Sequence, residues 1–494
     1  MRFSEFPRKT AHHTTDQPIG HMSQQPLLRH IPSYDRLSQD DKIRSLQQRY
    51  PHSIVLQWIR GATGDIRAEI DSGLIDRPTE ITQKIISRIC DREQLYRGSK
   101  IRSVINATGI ILHTNLGRAP LSDRAIRRMM DAAKSANVEL NLHTGKRNHR
   151  GQHCVEQLCQ LTGCEDAVLV NNCAAATILV LQAVAAGKEV IISRGQLVEI
   201  GGGFRLPDVF RTAGVTIREV GTTNRTYVRD YESAMTESAA AVMRVHHSNY
   251  KLSGFVTEPS IAELVQMPHS PEIPIIDDLG SGWIGKQTGD SSQSAYPDSQ
   301  SEPSISESIS AGVDLTLFSG DKLLGGPQCG IVLGKKKWIE ILRRHPLMRA
   351  MRLDKLTLAA LEATLEIHLE GSAGSELPIM QMLHCDSEQI RTRCEQVAEI
   401  IKPVTPCKVL PCDSQLGGGS MPGQTLSSYA VQIRSKSVHR LSHQLRTGSP
   451  AVQGRIANDS ILFDLRTVPD SHTEQLAMAI KEAILLDSTQ KEAE

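Results

Sequence analysis

The stretch Thr316-Leu317-Phe318-Ser319-Gly320-Asp321-Lys322-Leu323-Leu324-Gly325-Gly326-Pro327 places one lysine between an apolar, β-prone run and a glycine–proline loop. Glycines next to a lysine relieve crowding and let another molecule approach the backbone. A lysine that reaches into a partly desolvated cleft loses its proton and becomes a nucleophile. The segment is equally compatible with a plain loop lysine beside a turn, so the sequence upstream has to decide between the two interpretations.

An aspartate pair lies upstream in the short apolar run Pro274-Ile275-Ile276-Asp277-Asp278-Leu279-Gly280-Ser281-Gly282. Short apolar runs bounded by turn residues are typical of parallel strands in α/β proteins, and ligands bind at the carboxyl ends of such strands. We therefore expect a carboxylate here to face a cleft, and we favour Asp278. Asp277 could simply cap the following turn, and the sequence leaves the choice between the two aspartates open.

A third element is the strand at residues 167–172, followed by a helix that opens with Cys173-Ala174-Ala175-Ala176-Thr177 and is expected to end near residue 186. Small residues at a helix start leave backbone N–H groups open to an anion, and the helix dipole favours a phosphate there. Packing alone explains many such helix starts, so this signal is weak by itself.

In chain order, the small-residue helix, the aspartate and the lysine form the set that a pyridoxal phosphate enzyme needs. The lysine holds the aldehyde as a Schiff base, and the aspartate keeps the pyridine nitrogen protonated so that the ring accepts electrons. We assign catalytic roles to Lys322, Asp278 and Asp321. The predicted cofactor-binding residues are Lys322, Asp278, Asn172, Cys173, Ala174, Ala175 and Ser319.

The composition is that of a globular protein of two or three domains, with 39% hydrophobic and 22% charged residues over 494 positions. The absence of a membrane-spanning apolar run and of an apolar signal core in residues 1–25 predicts a cytoplasmic protein without a membrane partner. The net charge of +1 argues against a globally basic nucleic-acid binder, and no DNA partner is expected. Ten cysteines without a CxxC pair indicate reduced thiols rather than disulfides or metal ligands, with Cys173 the one most open to reaction.

Two further features leave alternatives open. The segment between residues 335 and 355 contains eight Lys or Arg residues but only two acidic residues, Glu340 and Asp354. Such a cluster is either a solvated helix face or the entrance for a phosphorylated or polyanionic substrate. Gly417-Gly418-Gly419 is either a loop that lies close to a ligand or a plain flexible turn.

The periodicity divides the chain into four parts. Residues 1–25 are polar and predicted to be a disordered tail, and residues 26–100 show apolar positions at helical spacing, which predicts a small helical domain. Residues 101–370 alternate strands and helices, as in an α/β domain with a mostly parallel sheet. A Ser-rich insertion at 287–310 is predicted to be a mobile surface loop, and residues 371–494 to form a smaller α+β domain.

Longer motifs carry a family resemblance. They are Ile105-Asn106-Ala107-Thr108-Gly109, His113-Thr114-Asn115-Leu116-Gly117-Arg118, Ser193-Arg194-Gly195-Gln196-Leu197-Val198-Glu199-Ile200-Gly201-Gly202, Gly221-Thr222-Thr223-Asn224-Arg225-Thr226, Ser248-Asn249-Tyr250, Asp278-Leu279-Gly280-Ser281-Gly282, the loop at 319–330 and the run at 345–355. With these motifs the chain resembles the bacterial selenocysteine synthases, the L-seryl-tRNA(Sec) selenium transferases. The resemblance covers nearly the whole chain after about residue 25.

The resemblance implies a fold-type I pyridoxal phosphate-dependent transferase with a small helical N-terminal domain and an α+β C-terminal domain. It implies conversion of L-seryl-tRNA(Sec) to L-selenocysteinyl-tRNA(Sec) with selenophosphate, through a dehydroalanyl group. Lys322 matches the Schiff-base lysine, and Arg118, Arg349 and Arg352 match arginines that bind selenophosphate. The resemblance further implies a homodecamer in which the N-terminal domain grips the tRNA.

Two alternatives compete with this interpretation. A pyridoxal phosphate-dependent lyase or aldolase on the same scaffold, acting on a small phosphorylated amino compound, would share Lys322 and Asp278. Such an enzyme would not need the N-terminal helical domain. Because that domain matches the family, it argues against the lyase or aldolase alternative. A non-catalytic tRNA-binding relative would not need the intact lysine loop and its aspartate.

Overall fold

The computed structural model describes residues 25–73, 75, 77–97, 100–201, 203–285 and 302–491. Its contacts divide the chain into two compact units, residues 1–102 with 490–494, and residues 103–489. The predicted tail up to residue 24 and the predicted insertion up to residue 301 lie outside the described residues. Within the described ranges, no helix combines the length and the apolarity that a bilayer crossing requires.

The first unit is helical, as predicted. Its helices are α1 (Gln25–Leu28), α2 (Tyr34–Leu37), α3 (Asp41–Arg49), α4 (His52–Asp71) and α5 (Pro78–Arg97). In α4, buried residues recur at intervals of three or four and form one apolar face that packs against α3 and α5. They are Val55, Trp58, Ile59, Ala62, Ile66 and Ile70. Ser38 is the C-cap of α2, and Asp40 caps the start of α3, because its carboxylate accepts the Lys42 N–H.

The strands, in chain order, are β1 (Val104–Ala107), β2 (Asp166–Val170), β3 (Glu189–Ser193), β4 (Glu199–Ile200), β5 (Phe204–Arg205), β6 (Thr216–Val220), β7 (Ala239–Val245), β8 (Ile275–Gly280), β9 (Leu315–Ser319), β10 (Gly330–Gly334), β11 (Cys407–Gln415), β12 (Thr425–Arg434), β13 (Ala451–Ala457) and β14 (Ser460–Asp464). The remaining helices are α6 (Asp123–Ala132), α7 (Gln152–Thr162), α8 (Cys173–Ala185), α9 (Leu206–Thr212), α10 (Val228–Ser233), α11 (Ile261–Gln266), α12 (Ile305–Ser310), α13 (Lys336–Arg344), α14 (Pro346–Ala350), α15 (Lys355–Leu369), α16 (Ala373–Glu376), α17 (Pro378–His384), α18 (Ser387–Ile401), α19 (Val438–Thr447) and α20 (Thr473–Lys491).

The larger sheet is mostly parallel, as predicted, with strand order β2-β10-β9-β8-β7-β3-β6. Only β10 is antiparallel to its neighbours, β9 and β2. In β2, Val168 and Val170 pack in one core with α8, whereas Ala167 and Leu169 pack in another with α7 and α15. Because both faces are covered there, β2, β9 and β10 are buried along almost their whole length. The adjacent parallel strands β8 and β9 bring the aspartate and lysine segments to one edge of the sheet.

The smaller sheet has the order β1-β13-β14-β12-β11 and takes its first strand from the early part of the chain. We expected residues 101–370 to form one domain and residues 371–494 another. Instead, β1 runs parallel to β13, and Ile105 packs in the same core as Phe463. The chain therefore passes through the smaller sheet before it enters the larger one.

The last part of the predicted insertion at 287–310 is a helix, so the prediction of a loop is wrong there. Ser304 and Glu307 form a capping box: the Ser304 hydroxyl accepts the Glu307 N–H at 3.1 Å, and the Glu307 carboxylate accepts the Ser304 N–H at 2.9 Å. Ile305 is fully buried and anchors the helix. The Ser-rich composition of the segment concealed both signals.

Candidate active site

Lys322 lies in a tight loop directly after β9. The loop closes through a backbone hydrogen bond of 2.9 Å from the Gly326 N–H to the Gly320 carbonyl. Position 320 requires glycine, because a Cβ there would lie 2.4 Å from Cys329 Sγ. The glycines that marked this segment in the sequence thus permit a turn that points the lysine into the protein.

The Lys322 side chain is buried, with 6% of the residue exposed. Its Nζ donates to the Gly419 carbonyl at 3.1 Å, so the run at 417–419 lies against the lysine instead of forming a plain flexible turn. Gly419 has φ +96°, and a Cβ there would lie 2.7 Å from Nζ. Burial lowers the pKa of Lys322, and Arg118 lowers it further, which favours the neutral amine that a nucleophile requires.

The two aspartates of β8 face opposite sides of the sheet, as the alternation along a strand requires. Asp278 lines the cavity that contains Lys322. Asp277 pairs with Arg244, at 3.0 Å between Oδ1 and Nε, and accepts a hydrogen bond of 2.8 Å from the Ser308 hydroxyl. The structure therefore places Asp278, and not Asp277, beside the lysine.

Asp278 is buried with few hydrogen-bond donors around it. Thr177 Oγ1 lies at 3.4 Å and Cys173 Sγ at 4.0 Å from its carboxylate oxygens. Burial raises the pKa of Asp278 to about 6, against the attraction of Lys322, and the negative charge of Asp277 also raises it. Such a carboxylate has spare acceptor capacity and is stabilised by a cationic N–H donor.

The start of α8 lies in the same cavity, with Asn172, Cys173 and Ala174 among the lining residues. The Asn172 side chain caps the helix by accepting the Ala175 N–H at 2.8 Å, so Ala175 contributes its N–H to the cap and not to the cavity. The first N–H groups of a helix lack partners within it, which leaves those of Cys173 and Ala174 for an anion. Gly330 permits this arrangement, because a Cβ there would lie 2.1 Å from the Asn172 carbonyl oxygen.

Cys173 and Ser319 complete the predicted cofactor-binding residues, and both line the cavity. Burial raises the pKa of the Cys173 thiol, and the neighbouring Asp278 carboxylate raises it further. A thiol that remains protonated is a poor nucleophile, so the surroundings of Cys173 do not support the reactivity that we expected there.

Asp321 holds Arg118 next to the lysine. Arg118 Nη1 donates to Asp321 Oδ2 at 2.8 Å, and both residues line the lysine cavity. Asp321 Oδ1 is buried and has no hydrogen-bond partner among the described residues. Arg118 adopts φ +62°, which is uncommon for a residue other than glycine and is typical of functional sites when it occurs.

The other two predicted substrate-binding residues, Arg349 and Arg352, line a separate cavity of about 550 Å³, which we call the arginine pocket. The structure therefore does not bring the three arginines together within this chain. The basic residues of the arginine pocket are Arg147, Arg150, Arg343, Arg344, Arg349, Arg352, His149 and His345. Half of the basic cluster at 335–355 thus lines a pocket, which favours the interpretation as a polyanion entrance.

Sequence reasoning missed several residues of the lysine cavity. Thr177 lies one turn after Cys173 on α8, so helical spacing could have indicated it. His246 directly follows β7, and the rule that ligands bind at the carboxyl ends of parallel strands could have indicated it. Glu302 does not line the cavity but lies 3.3 Å from His246; it belongs to the Ser-rich segment and had no signal in the sequence.

These side chains fit pyridoxal phosphate. A lysine with a lowered pKa, a buried carboxylate with spare acceptor capacity and an open helix start share one cavity of about 220 Å³. In the part of the chain that the structure describes, no group of three or more His, Cys, Asp or Glu side chains could hold a metal ion. The mostly parallel sheet and this cavity have the architecture of fold-type I pyridoxal phosphate enzymes.

Comparison with known proteins agrees with this class and gives the family. A solved structure of D-glucosaminate-6-phosphate ammonia-lyase shares the fold, with a TM-score of 0.52, 20% identity, and coverage of 80% of this chain and 98% of that one. The family model described as L-seryl-tRNA selenium transferase matches residues 104–469.

Two relatives, both named L-seryl-tRNA(Sec) selenium transferase, match over nearly their whole length. The Carboxydothermus hydrogenoformans protein is 40% identical, over 94% of this chain and 100% of the relative. The Alkaliphilus oremlandii protein is 41% identical, over 92% of this chain and 98% of the relative. The chain belongs to the L-seryl-tRNA selenium transferase family, which confirms the resemblance found in the sequence.

Proposed function

We propose that this protein converts L-seryl-tRNA(Sec) to L-selenocysteinyl-tRNA(Sec), with pyridoxal phosphate as cofactor and selenophosphate as selenium donor. The observation that carries the proposal is the cavity shared by Lys322, Asp278 and the start of α8. It occurs in a chain that is 40% identical to a relative named for this reaction, along that relative's full length.

The residues of the cavity have separate roles in the proposed reaction. Pyridoxal phosphate, when bound, supplies an electron sink that makes the Cα proton of the seryl group acidic. Lys322, whose pKa is lowered by burial, is suited to accept that proton at Nζ. Asp278 supplies negative charge for a protonated ring nitrogen, and the N–H groups of Cys173 and Ala174 are suited to the cofactor phosphate.

We assign the selenium donor to Arg118. The seryl group is esterified to tRNA and has no free carboxylate, so an arginine is not needed to bind one. A guanidinium pairs well with a phosphate group, and Asp321 holds that of Arg118 in the lysine cavity. Arg349 and Arg352 are proposed to bind phosphate groups of the donor or of the tRNA, since the arginine pocket concentrates positive charge.

The remaining assignments concern the tRNA and the assembly. The helical first unit is proposed to select tRNA(Sec), and the protein is proposed to act in the cytoplasm as a homo-oligomer, a decamer by the resemblance. Exposed large apolar side chains support an oligomer, because a monomer would leave them in water. They include Met130 at 68%, Leu142 at 70% and Phe255 at 82% exposure.

A competition experiment tests the substrate assignment. Purified protein with pyridoxal phosphate is offered seryl-tRNA(Sec) and bulk seryl-tRNA at one fixed salt concentration, because phosphate contacts alone sustain unspecific binding at low salt. We expect preferential binding of seryl-tRNA(Sec). Equal binding of both tRNAs, together with ammonia release from a small phosphorylated amino compound, would favour the lyase alternative and overturn the proposal.

A further inference from the structure

Glu302 is a buried carboxylate that the proposed function does not use. Its side chain is 0% exposed. Oε2 lies 3.3 Å from His246 Nε2 and accepts the backbone N–H of Met421 at 2.9 Å. Oε1 is buried and has no hydrogen-bond partner among the residues that the structure describes. Burial of a carboxylate costs free energy unless the group finds partners. The two contacts of Oε2 offset part of that cost and hold the carboxylate in place.

The first contact leads to the active site through His246. This histidine lines the cavity of Lys322, and its backbone N–H donates to the Asp278 carbonyl at 2.9 Å. Glu302 Oε2 lies within hydrogen-bonding distance of His246 Nε2, and this contact holds the orientation of the ring in the cavity.

The second contact leads to the same cavity through the loop at residues 417–423, which we call the glycine loop. Its Gly419 carbonyl accepts the hydrogen bond from Lys322 Nζ. Met421 in this loop is buried and has φ +44°, a conformation that is uncommon for a residue other than glycine. Strained conformations persist where surrounding contacts over-determine them, and the bond from the Met421 N–H to Glu302 is such a contact.

We propose that Glu302 is a positioning residue that latches the glycine loop onto Lys322 and fixes the His246 ring in the same cavity. One carboxylate oxygen serves both contacts, so loss of Glu302 releases the loop and the histidine together. With the loop closed, Nζ is bonded to Gly419 and shielded from water. The inference rests on the proposed function only in taking Lys322 as the reactive lysine; the latch itself is a property of the protein without substrate.

The test measures the glycine loop and Lys322 directly, in the full-length protein without added cofactor. Backbone amide exchange is followed by mass spectrometry, and Lys322 acetylation by acetic anhydride is followed by peptide mapping. We expect Glu302→Ala to accelerate both, by about tenfold, since a hydrogen bond to a charged acceptor is lost. Glu302→Gln keeps an acceptor oxygen without the charge and is expected to accelerate both severalfold, by less than Glu302→Ala.

The control is Glu307→Gln, which alters the carboxylate that caps α12, five residues along the same segment. It is expected to leave the glycine loop and Lys322 at wild-type rates. Wild-type rates in folded Glu302→Ala would overturn the latch, and so would faster exchange spread over the whole smaller sheet, which indicates general destabilisation. If Glu302→Ala does not fold, Glu302→Gln decides: severalfold faster exchange confined to the glycine loop supports the latch, and wild-type rates overturn it. Neither result depends on the identity of the tRNA substrate.

Discussion

Replacement of Asp278 by Asn is expected to stabilise the protein without added cofactor while it removes activity. The folded protein buries this carboxylate beside weak donors, which raises its pKa to about 6 from an ordinary value of 3.8. A raised carboxyl pKa means that the folded state prefers the protonated form. The stability that this group contributes is therefore fully present below about pH 4 and is lost as the pH rises through about 6.

The magnitude follows from the pKa difference. Since one pKa unit corresponds to about 1.36 kcal/mol, ionisation of Asp278 costs the folded state up to about 3 kcal/mol at neutral pH. Asn has nearly the same shape and no charge, so Asp278→Asn removes this cost. The gain is an upper value, because the Asp278 charge also favours the protonated form of Lys322. Activity falls in the variant because a pyridine nitrogen without a carboxylate partner makes the ring a poor electron sink.

The assay is thermal unfolding of the wild type and Asp278→Asn, without added cofactor, from about pH 5 to about pH 8. We expect the variant to unfold several degrees higher at the alkaline end, with a smaller difference at the acid end. Asp277→Asn is the matched control. Burial raises the pKa of Asp277 too, but its carboxylate is paired with Arg244, so its removal leaves a buried guanidinium without its partner charge and is expected to lower the unfolding temperature. An Asp278→Asn protein that is less stable than the wild type at about pH 8 would refute the reasoning.

Three other perturbations test the account. Lys322→Ala is expected to lose the visible absorption band of bound pyridoxal phosphate after dialysis, and cofactor found by mass spectrometry at another lysine would contradict the assignment. Gly419→Ala is expected to weaken binding of pyridoxal phosphate, because the added Cβ would lie 2.7 Å from Lys322 Nζ. The control is Gly418→Ala, whose Cβ would meet only Thr114 at 4.0 Å; in a titration with pyridoxal phosphate it is expected to bind like the wild type. Deletion of residues 1–102 is expected to preserve cofactor binding but to abolish the preference for tRNA(Sec). The preference is measured by filter binding at a fixed salt concentration. An unchanged preference would reject a role of the first unit in tRNA selection.

The sequence predicted those parts of the site that local rules determine. An apolar run that ends in Asp278, a loop whose glycines surround Lys322 and a helix that opens with small residues each show their role in a few adjacent positions. Because successive side chains of a strand point to opposite faces of the sheet, alternation decides between Asp277 and Asp278. It does so only when the face of the larger sheet on which the Lys322 cavity lies is known. The sequence did not contain that information.

The contacts that the sequence did not show are long-range. Gly419 meets Lys322 across 97 residues, and Met421 meets Glu302 across 119. Such contacts depend on how the smaller sheet is placed against the larger one, which no periodicity encodes. The same limit explains why β1 was expected in the α/β domain, because its pairing with β13 lies far along the chain.

Selenium transfer by the purified full-length protein tests the central claim most directly. The protein is given pyridoxal phosphate, seryl-tRNA(Sec) and radiolabelled selenophosphate, with Lys322→Ala measured in parallel. We predict that the label becomes attached to tRNA(Sec) and is released as selenocysteine on hydrolysis, and that Lys322→Ala gives none. Absence of tRNA-bound label with wild-type protein that carries the cofactor on Lys322, or equal labelling by Lys322→Ala, would contradict the account.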